Sequence, residues 1–348
     1  MTLVARYPIL RCLWQTTAFA SWRSVLLLVI LQLFGCSSKP EVLNISGSKM
    51  GTSYHITVIA DQLPPDDLEQ QIEQLLSKVD NSMSTYKKDS EISQFNRLPV
   101  GKTMTISDEF SEVVKISQEI WQLSNGAFDP TIGPLVDLWG FGPGDRHDSI
   151  PPPETIAQTK SAIGFDSVVL LENRLTKTKP VALDLSAVAK GYAVDRVADL
   201  LEMLALPDYL VEIGGEIRVS GFNSEGVAWR IAVEQPQLFG EVDRIIGITN
   251  IAVATSGDYR NYFEKDGVRY SHTIDPKTGM PINHNLASVS VLSESCAVAD
   301  AWATAFSVMG AEKSLKLAEE YDLSVYMLVR EGENFVSKMS GGFDFFVD

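Results

Sequence analysis

Strand-like segments outnumber helical ones in this chain, and they do not alternate with helices in the regular rhythm of a βαβ fold. Residues 53–60 alternate with period two and place Tyr54, Ile56 and Val58 on one face. Further strand-like runs occupy 209–220, 229–233, 248–254, 287–292, 324–329 and 335–339. The helical period is confined to a few windows. Leu68, Ile72, Leu75, Leu76 and Val79 recur at spacings of three and four over 66–79. Ser107 is placed to cap a helix reaching about Leu123, which Asn125-Gly126 would end. Ser186 is placed to cap another reaching about Leu204, with Pro207 beyond it, and helices also fit 297–309 and 312–321. A doubly wound sheet needs a helix between successive strands, so the pattern predicts an α+β fold with mostly antiparallel sheet. The Gly- and Pro-rich stretch 140–153 is a place where two lobes could divide, although no clean linker is visible.

The N-terminus reads as an address. Arg6, Arg11 and Arg23 precede an apolar run from Val25 to Phe34. About ten residues suit a signal-peptide core, whereas a membrane-spanning helix needs about 20. The run ends in Leu33-Phe34-Gly35-Cys36, which resembles the lipobox of bacterial lipoproteins, in which the cysteine is lipidated and becomes the new N-terminus. Residues 1–35 are therefore read as a signal peptide, and 36–48 as the lipidated Cys36 with a tether that starts Ser37-Ser38-Lys39. The expected place is the periplasmic side of a bacterial membrane. Of the other cysteines, Cys12 lies in the leader, and Cys296 reads as a small buried hydrophobe. No disulfide framework is legible.

Charge narrows the ligand classes. The chain carries 29 Lys and Arg against 45 Asp and Glu, a net −16. The leader holds three arginines and no acid, so the remainder has 26 against 45, a net −19. Such a surface repels nucleic-acid phosphates and argues against nucleic-acid binding. It repels a small diphosphate as well, so an anionic ligand would need a metal ion, main-chain N–H groups or a helix N-terminus.

Several segments combine Gly, small polar and acidic residues at the ends of elements. Asp300 and Thr304 stand i,i+4 on one face of an expected helix. A carboxylate and a hydroxyl are hard oxygen ligands that suit Mg²⁺, but an Asp early in a helix also serves as a cap or dipole partner. Asp184 is expected at a strand end just before a helix N-terminus, where an anion would dock. Lys190, one turn into that helix, faces either a phosphate or solvent. His272 begins a run that ends in the turn Asp275-Pro-Lys-Thr-Gly279, and a histidine so placed can act as general base.

These segments, with Met50-Gly51-Thr52, Ser84-Thr85-Tyr86 and the stretch Gly126-Ala127-Phe128-Asp129-Pro130, resemble in order and spacing the ApbE family of FAD:protein FMN transferases. The resemblance runs from about Met50 to the C-terminus and assigns 49–348 to one flavin transferase domain. It implies two intimately packed α+β lobes of T-fold-related architecture with the flavin between them. It also implies an enzyme that cleaves the FAD diphosphate, joins FMN by a phosphoester to a Thr or Ser of a target flavoprotein, and releases AMP. The acceptors it implies are subunits of membrane redox complexes such as sodium-pumping quinone reductases, which favour the inner membrane and leave the outer one open. The resemblance places FAD contacts at Met50, Tyr86, Ala127, Phe128, Asp129, Asp184, Lys190 and Ile274. It places Mg²⁺ on the Ala187 carbonyl and the side chains of Asp300 and Thr304. Position 297, acidic in some relatives, is alanine here, and position 190 varies between Glu and Lys among relatives. His272 is the candidate general base, with Asp258 the alternative. Two other readings stand beside the transferase: a periplasmic FAD pyrophosphatase that uses water at the same site, and a lipoprotein that binds flavin without catalysis.

Cys36→Ala is expected to release the protein from membranes or to block its maturation, as read by membrane fractionation. A variant that still partitions with the membrane would point to an uncleaved anchor helix instead.

Overall fold

A computed structural model of the chain describes residues 41–60, 62–142, 147–236, 242–258 and 261–346. The lipobox, Cys36 and the leader lie outside the described residues. Among the described residues no helix is long and apolar enough to cross a membrane.

Eight strands form one sheet: β1 (Glu41–Lys49), β2 (Thr52–Ala60), β3 (Asp208–Ile213), β4 (Glu216–Ser220), β5 (Ile251–Gly257), β6 (Leu286–Ser293), β7 (Ser324–Glu331) and β8 (Asn334–Met339). Their order across the sheet is their order along the chain, and each neighbouring pair is antiparallel. The sheet is therefore a meander with long excursions inserted between strands, in keeping with the α+β expectation. β1 begins at Glu41, so 41–48 belong to the sheet and not to the tether. Only Ile45 of this edge strand is buried, while Asn44, Ser46 and Ser48 are exposed, so no apolar alternation marks it.

Two segments read as single strands are two strands each. The run 209–220 reverses at Gly214-Gly215, with φ of 65° and 102°, and Ile213 pairs with Glu216 across the turn. Glycines adopt positive φ without steric cost, so a two-residue reversal fits there. The run 248–254 breaks at Asn250, φ 53°. The chain before it, Val242–Ile248, pairs with Trp229–Glu234 in a separate hairpin. Periodicity could not reveal either turn, because the apolar alternation continues on both sides.

Both faces of the sheet are covered, which is why β6 is buried almost throughout. Ile56, Val211, Ala254, Val291 and Met327 point to a helical layer of α1 (Leu68–Met83), α2 (Asp108–Leu123), α3 (Ser186–Met203) and α4 (Cys296–Met309). The intervening positions Val253, Leu292 and Leu328 point the other way, to Trp229, Ile231, Ile246 and Phe343. A smaller cluster gathers Leu135, Trp139, Ile156, Phe263 and Ile274 from the excursions.

Local signals explain the helix ends. Ser107 caps α2 as expected, its Oγ accepting from the Phe110 N–H at 3.2 Å, and Asn125 and Gly126 follow the helix at φ of 53° and 75°. Ser186, in contrast, is the first helical residue and not the cap. The cap position falls to Leu185, which has no capping side chain, and Asp184 just before it accepts the Ser186 N–H through Oδ1 at 2.9 Å. Asp184 also lies outside any strand, in an irregular segment tied by its N–H to the Pro130 carbonyl at 2.7 Å.

α3 and α4 cross at Gly191. A Cβ there would stand 2.4 Å from the Cys296 carbonyl oxygen and 2.9 Å from Ala297 Cα, so glycine alone permits the approach. Four residues on, Asp195 accepts from the N–H groups of Cys296 and Ala297 (2.9 and 3.0 Å) and from Ser295 Oγ (2.8 Å). It satisfies N–H groups that the start of α4 leaves without helical partners. Arg218 of β4 closes the set at 3.0 Å from Asp195. Cys296 is buried and unbridged at this crossing, as its reading as a small hydrophobe anticipates.

Gly191→Ala should lower stability by about 1–3 kcal/mol through overpacking against main chain, seen as a fall in thermal unfolding temperature. An unchanged melt would show that the helices can part at no cost.

Candidate functional site

A cavity of about 710 Å³ lies where the N-terminal turns of α3, the middle of α4, the Gly214-Gly215 turn, the end of β5 and the loop after α2 converge. The size suits a cofactor-sized ligand. Tyr86, Ala127, Phe128, Asp129, Asp184, Ala187, Lys190, His272, Ile274, Asp300 and Thr304 all line it, although they come from segments far apart in the chain. Met50 and Asp258 do not line it. Met50 sits at φ 54° in the β1–β2 turn, its side chain packed against the main core. Thr255, Ser256 and Gly257 do reach the cavity, but Asp258 turns away, and both its carboxylate oxygens take the Arg330 guanidinium at 2.6 and 3.0 Å. A carboxylate locked in that fork is a structural anchor and not an available base.

Asp300 is buried, and its Oδ2 accepts from the Gly191 N–H at 3.2 Å. In a regular helix that amide would serve the Ala187 carbonyl, four residues back. The helix is also kinked at Ala187, with φ −90° and ψ 16°. The Ala187 carbonyl thus stands where the helical ladder is disturbed, beside a buried carboxylate and one helical face from the Thr304 hydroxyl. Among the described residues no group of three His, Cys, Asp or Glu side chains forms a metal site. A cation here would rest on carboxylate, hydroxyl and carbonyl oxygens, the donor set of a hard ion such as Mg²⁺.

The electrostatics favour a cation. Asp129, Asp184, Glu212, Glu216, Glu234 and Asp300 line the cavity, and among its described residues Lys190 is the sole Lys or Arg. Lys190 pairs with Glu216 at 2.5 Å. Burial works against its charge, but Asp300 and Glu216 together hold its ammonium above the usual range. Burial raises Asp300, against the pull of Lys190 and the Gly191 N–H. Burial and the Asp300 charge push Glu216 up to about 8, although Lys190 opposes the shift. Burial also raises Asp129, whose Oδ1 is engaged by the Thr131 N–H and hydroxyl at 2.8 and 2.6 Å. Fully ionised, two acids and one base would carry an excess negative charge, so the cluster must hold either a proton or a cation.

Lining the same cavity, His272 has its Nδ1 3.0 Å from the Asn261 carbonyl oxygen. A carbonyl can only accept, so Nδ1 carries the proton and the neutral ring keeps its lone pair on Nε2. Burial lowers the imidazole below the ordinary histidine value of 6.5, while the Asn261 bond and Asp258 act in the other direction. Phe141 lies edge-on to the ring at 6.3 Å and begins a stack through Phe263 and Tyr270 to Trp139. Glu212, Glu216, Asn261 and Phe141 escaped the sequence reading. Gly214-Gly215 was the available signal for the two glutamates, since a hairpin there brings both to its mouth.

Residues 50–327 match the model of the ApbE family. The chain is 44% identical over 323 residues to an FAD:protein FMN transferase of Vibrio cholerae, covering 92% of this chain and 97% of that one. It is 43% identical over 324 residues to an FAD:protein FMN transferase of Haemophilus influenzae, covering 90% and 94%. Among solved structures it is similar to the apo form of a Pseudomonas stutzeri flavinyl transferase, with a TM-score of 0.83, 39% identity, and coverage of 89% and 98%.

Proposed function

The chain belongs to the ApbE family, and we propose that it is an FAD:protein FMN transferase, which moves the FMN half of FAD onto a hydroxyl of a partner protein. The observation that carries this reading is the cavity: it joins a cation-seeking acidic cluster to a neutral, oriented histidine. In this reading FAD packs its rings on Tyr86, Phe128 and Ile274 and brings its diphosphate toward Lys190 and Asp300. Phosphoryl transfer depends mainly on positioning and on neutralising developing charge. Asp300, Thr304 and the Ala187 carbonyl would hold Mg²⁺, which would screen the diphosphate and stabilise the departing AMP.

His272 Nε2 accepts the proton of the acceptor Thr or Ser hydroxyl, and the oxygen attacks the phosphorus on the FMN side. A phosphoester bond forms, the diphosphate P–O bond breaks, and AMP leaves with the bonding electron pair. The acceptors proposed are subunits of membrane redox complexes. Lipidation of Cys36 would hold the enzyme on the periplasmic side of a bacterial membrane, close to them.

The reading is tested by mixing the protein with FAD, Mg²⁺ and a candidate acceptor, then looking for in-gel flavin fluorescence and an FMN-sized mass gain on the acceptor. Labelling abolished by EDTA is the expected result. Release of FMN and AMP without labelling would make the protein a pyrophosphatase, and bound FAD with neither product would make it a flavin-binding lipoprotein. Asp300→Ala should cut labelling by roughly 100-fold or more, since cation stabilisation of a phosphoryl transition state is worth several kcal/mol; full activity would remove the metal assignment.

His272 also sets a pH signature. The neutral ring is the active form, so activity falls as pH drops through a value below 6.5. An acid limb of kcat/KM above 6.5 would contradict the burial argument. His272→Ala should reduce kcat by roughly 10²–10⁴-fold while FAD affinity changes little. Equal loss in both would make it a binding residue.

A further inference from the structure

Glu216 lines the cavity beside Lys190 and Asp300, and the chemistry above leaves it unused. It is 3% exposed. Its Oε1 takes the Lys190 ammonium at 2.5 Å, and its Oε2 is buried with no hydrogen-bond partner. A buried polar atom left without a partner is costly, and more so when charged. The fold nevertheless places it with care. Glu216 is the first residue of β4, its register set by pairing with Ile213 across the Gly214-Gly215 turn. That turn abuts Lys190, since a Cβ on Gly214 would lie 3.3 Å from Lys190 Cδ.

The unpartnered oxygen has a counterpart in the charge balance. Fully ionised, Asp300, Glu216 and Lys190 would sum to one negative charge in a buried cluster, and among the described residues no other Lys or Arg lines the cavity to offset it. A buried charge is stable only when paired or when it faces a metal ion. Lys190 meets one oxygen of Glu216, so the deficit lies at Oε2 and Asp300.

We infer that Glu216 is the second carboxylate of the cation site, its charge adding to that of Asp300 in holding the divalent ion. The inference rests on the reading of Asp300 as a cation ligand. The competing role, in which Glu216 merely holds Lys190 in place, differs in sign. If Glu216 attracts the cation, removing its charge weakens binding, and removing the Lys190 charge does not. If the ion pair is only a brace, breaking it from either side has the same effect.

The test is Mg²⁺ binding to the full-length protein in detergent, without FAD, by isothermal titration calorimetry. Glu216→Gln keeps the shape and is expected to weaken binding by about tenfold or more, from the loss of one charge near a divalent ion. Lys190→Met is expected to leave binding unchanged or tighter. Parental affinity in Glu216→Gln overturns the inference. So does a Lys190→Met variant that loses as much affinity as Glu216→Gln, and this arm stands alone if Glu216→Gln does not fold, since any weakening in Lys190→Met is then fatal. Asp300→Asn separates the two levels. If it loses Mg²⁺ binding while Glu216→Gln keeps it, the cation site stands and only the role of Glu216 falls. If Asp300→Asn binds Mg²⁺ normally, the site itself is wrong.

Discussion

The crossing of α3 over α4 at Gly191 is the contact on which both the helical layer and the cavity depend. With no side chain at that point, the two backbones come close enough to exchange hydrogen bonds in both directions. Asp195 on α3 accepts the first N–H groups of α4, and Asp300 on α4 accepts the Gly191 N–H on α3. Each is a carboxylate on a main-chain donor, a charge-assisted bond stronger than a neutral one. The first bond fixes where α4 begins, and so which face carries Asp300 and Thr304. The second ties Asp300 to α3 one turn beyond its kink at Ala187. Packing and site geometry thus share one cause.

The site runs against the ordinary rule that buried charges are balanced. Its acids outnumber its bases in a chain that is already strongly negative, an arrangement unfavourable for an empty protein and for a bare diphosphate alike. Perturbed ionisation of several groups in one cleft is the mark of a functional site more often than of a structural one. The rigid surroundings sustain the imbalance: the sheet is buried on both faces, and Asp258 and Arg330 lock the end of β5 to β7. His272 is oriented in turn by the Asn261 main chain, which leaves its free nitrogen for chemistry.

Much of the fold was legible because its cues are local. Ser107, Asn125 and Gly126 mark the ends of α2 by caps and positive φ, and the spacing of Leu68, Ile72, Leu76 and Val79 marks α1. Reversals within apolar runs were not legible. Gly214-Gly215 and Asn250 interrupt no alternation, so 209–220 and 248–254 read as straight strands, although the first folds back on itself and the second passes between two sheets. β1 escaped because an edge strand with one buried side chain carries no pattern. The sequence pattern puts Asp184 at a strand end, but what precedes α3 is irregular chain held by Pro130, a contact between distant segments.

The residue types at the site, their order and the family to which they belong are properties of the sequence alone, because caps, turns and short motifs are written in neighbouring residues. The sequence also decided that an anionic ligand would need help, since net charge does not depend on folding. Only the tertiary structure decided which acids share a cavity. It put Glu216 beside Asp300 and turned Asp258 toward Arg330, and it set the lone pair of His272 on Nε2. Those outcomes depend on side-chain direction and on burial between segments that are not neighbours in the chain, and both arise only when the fold brings those segments together.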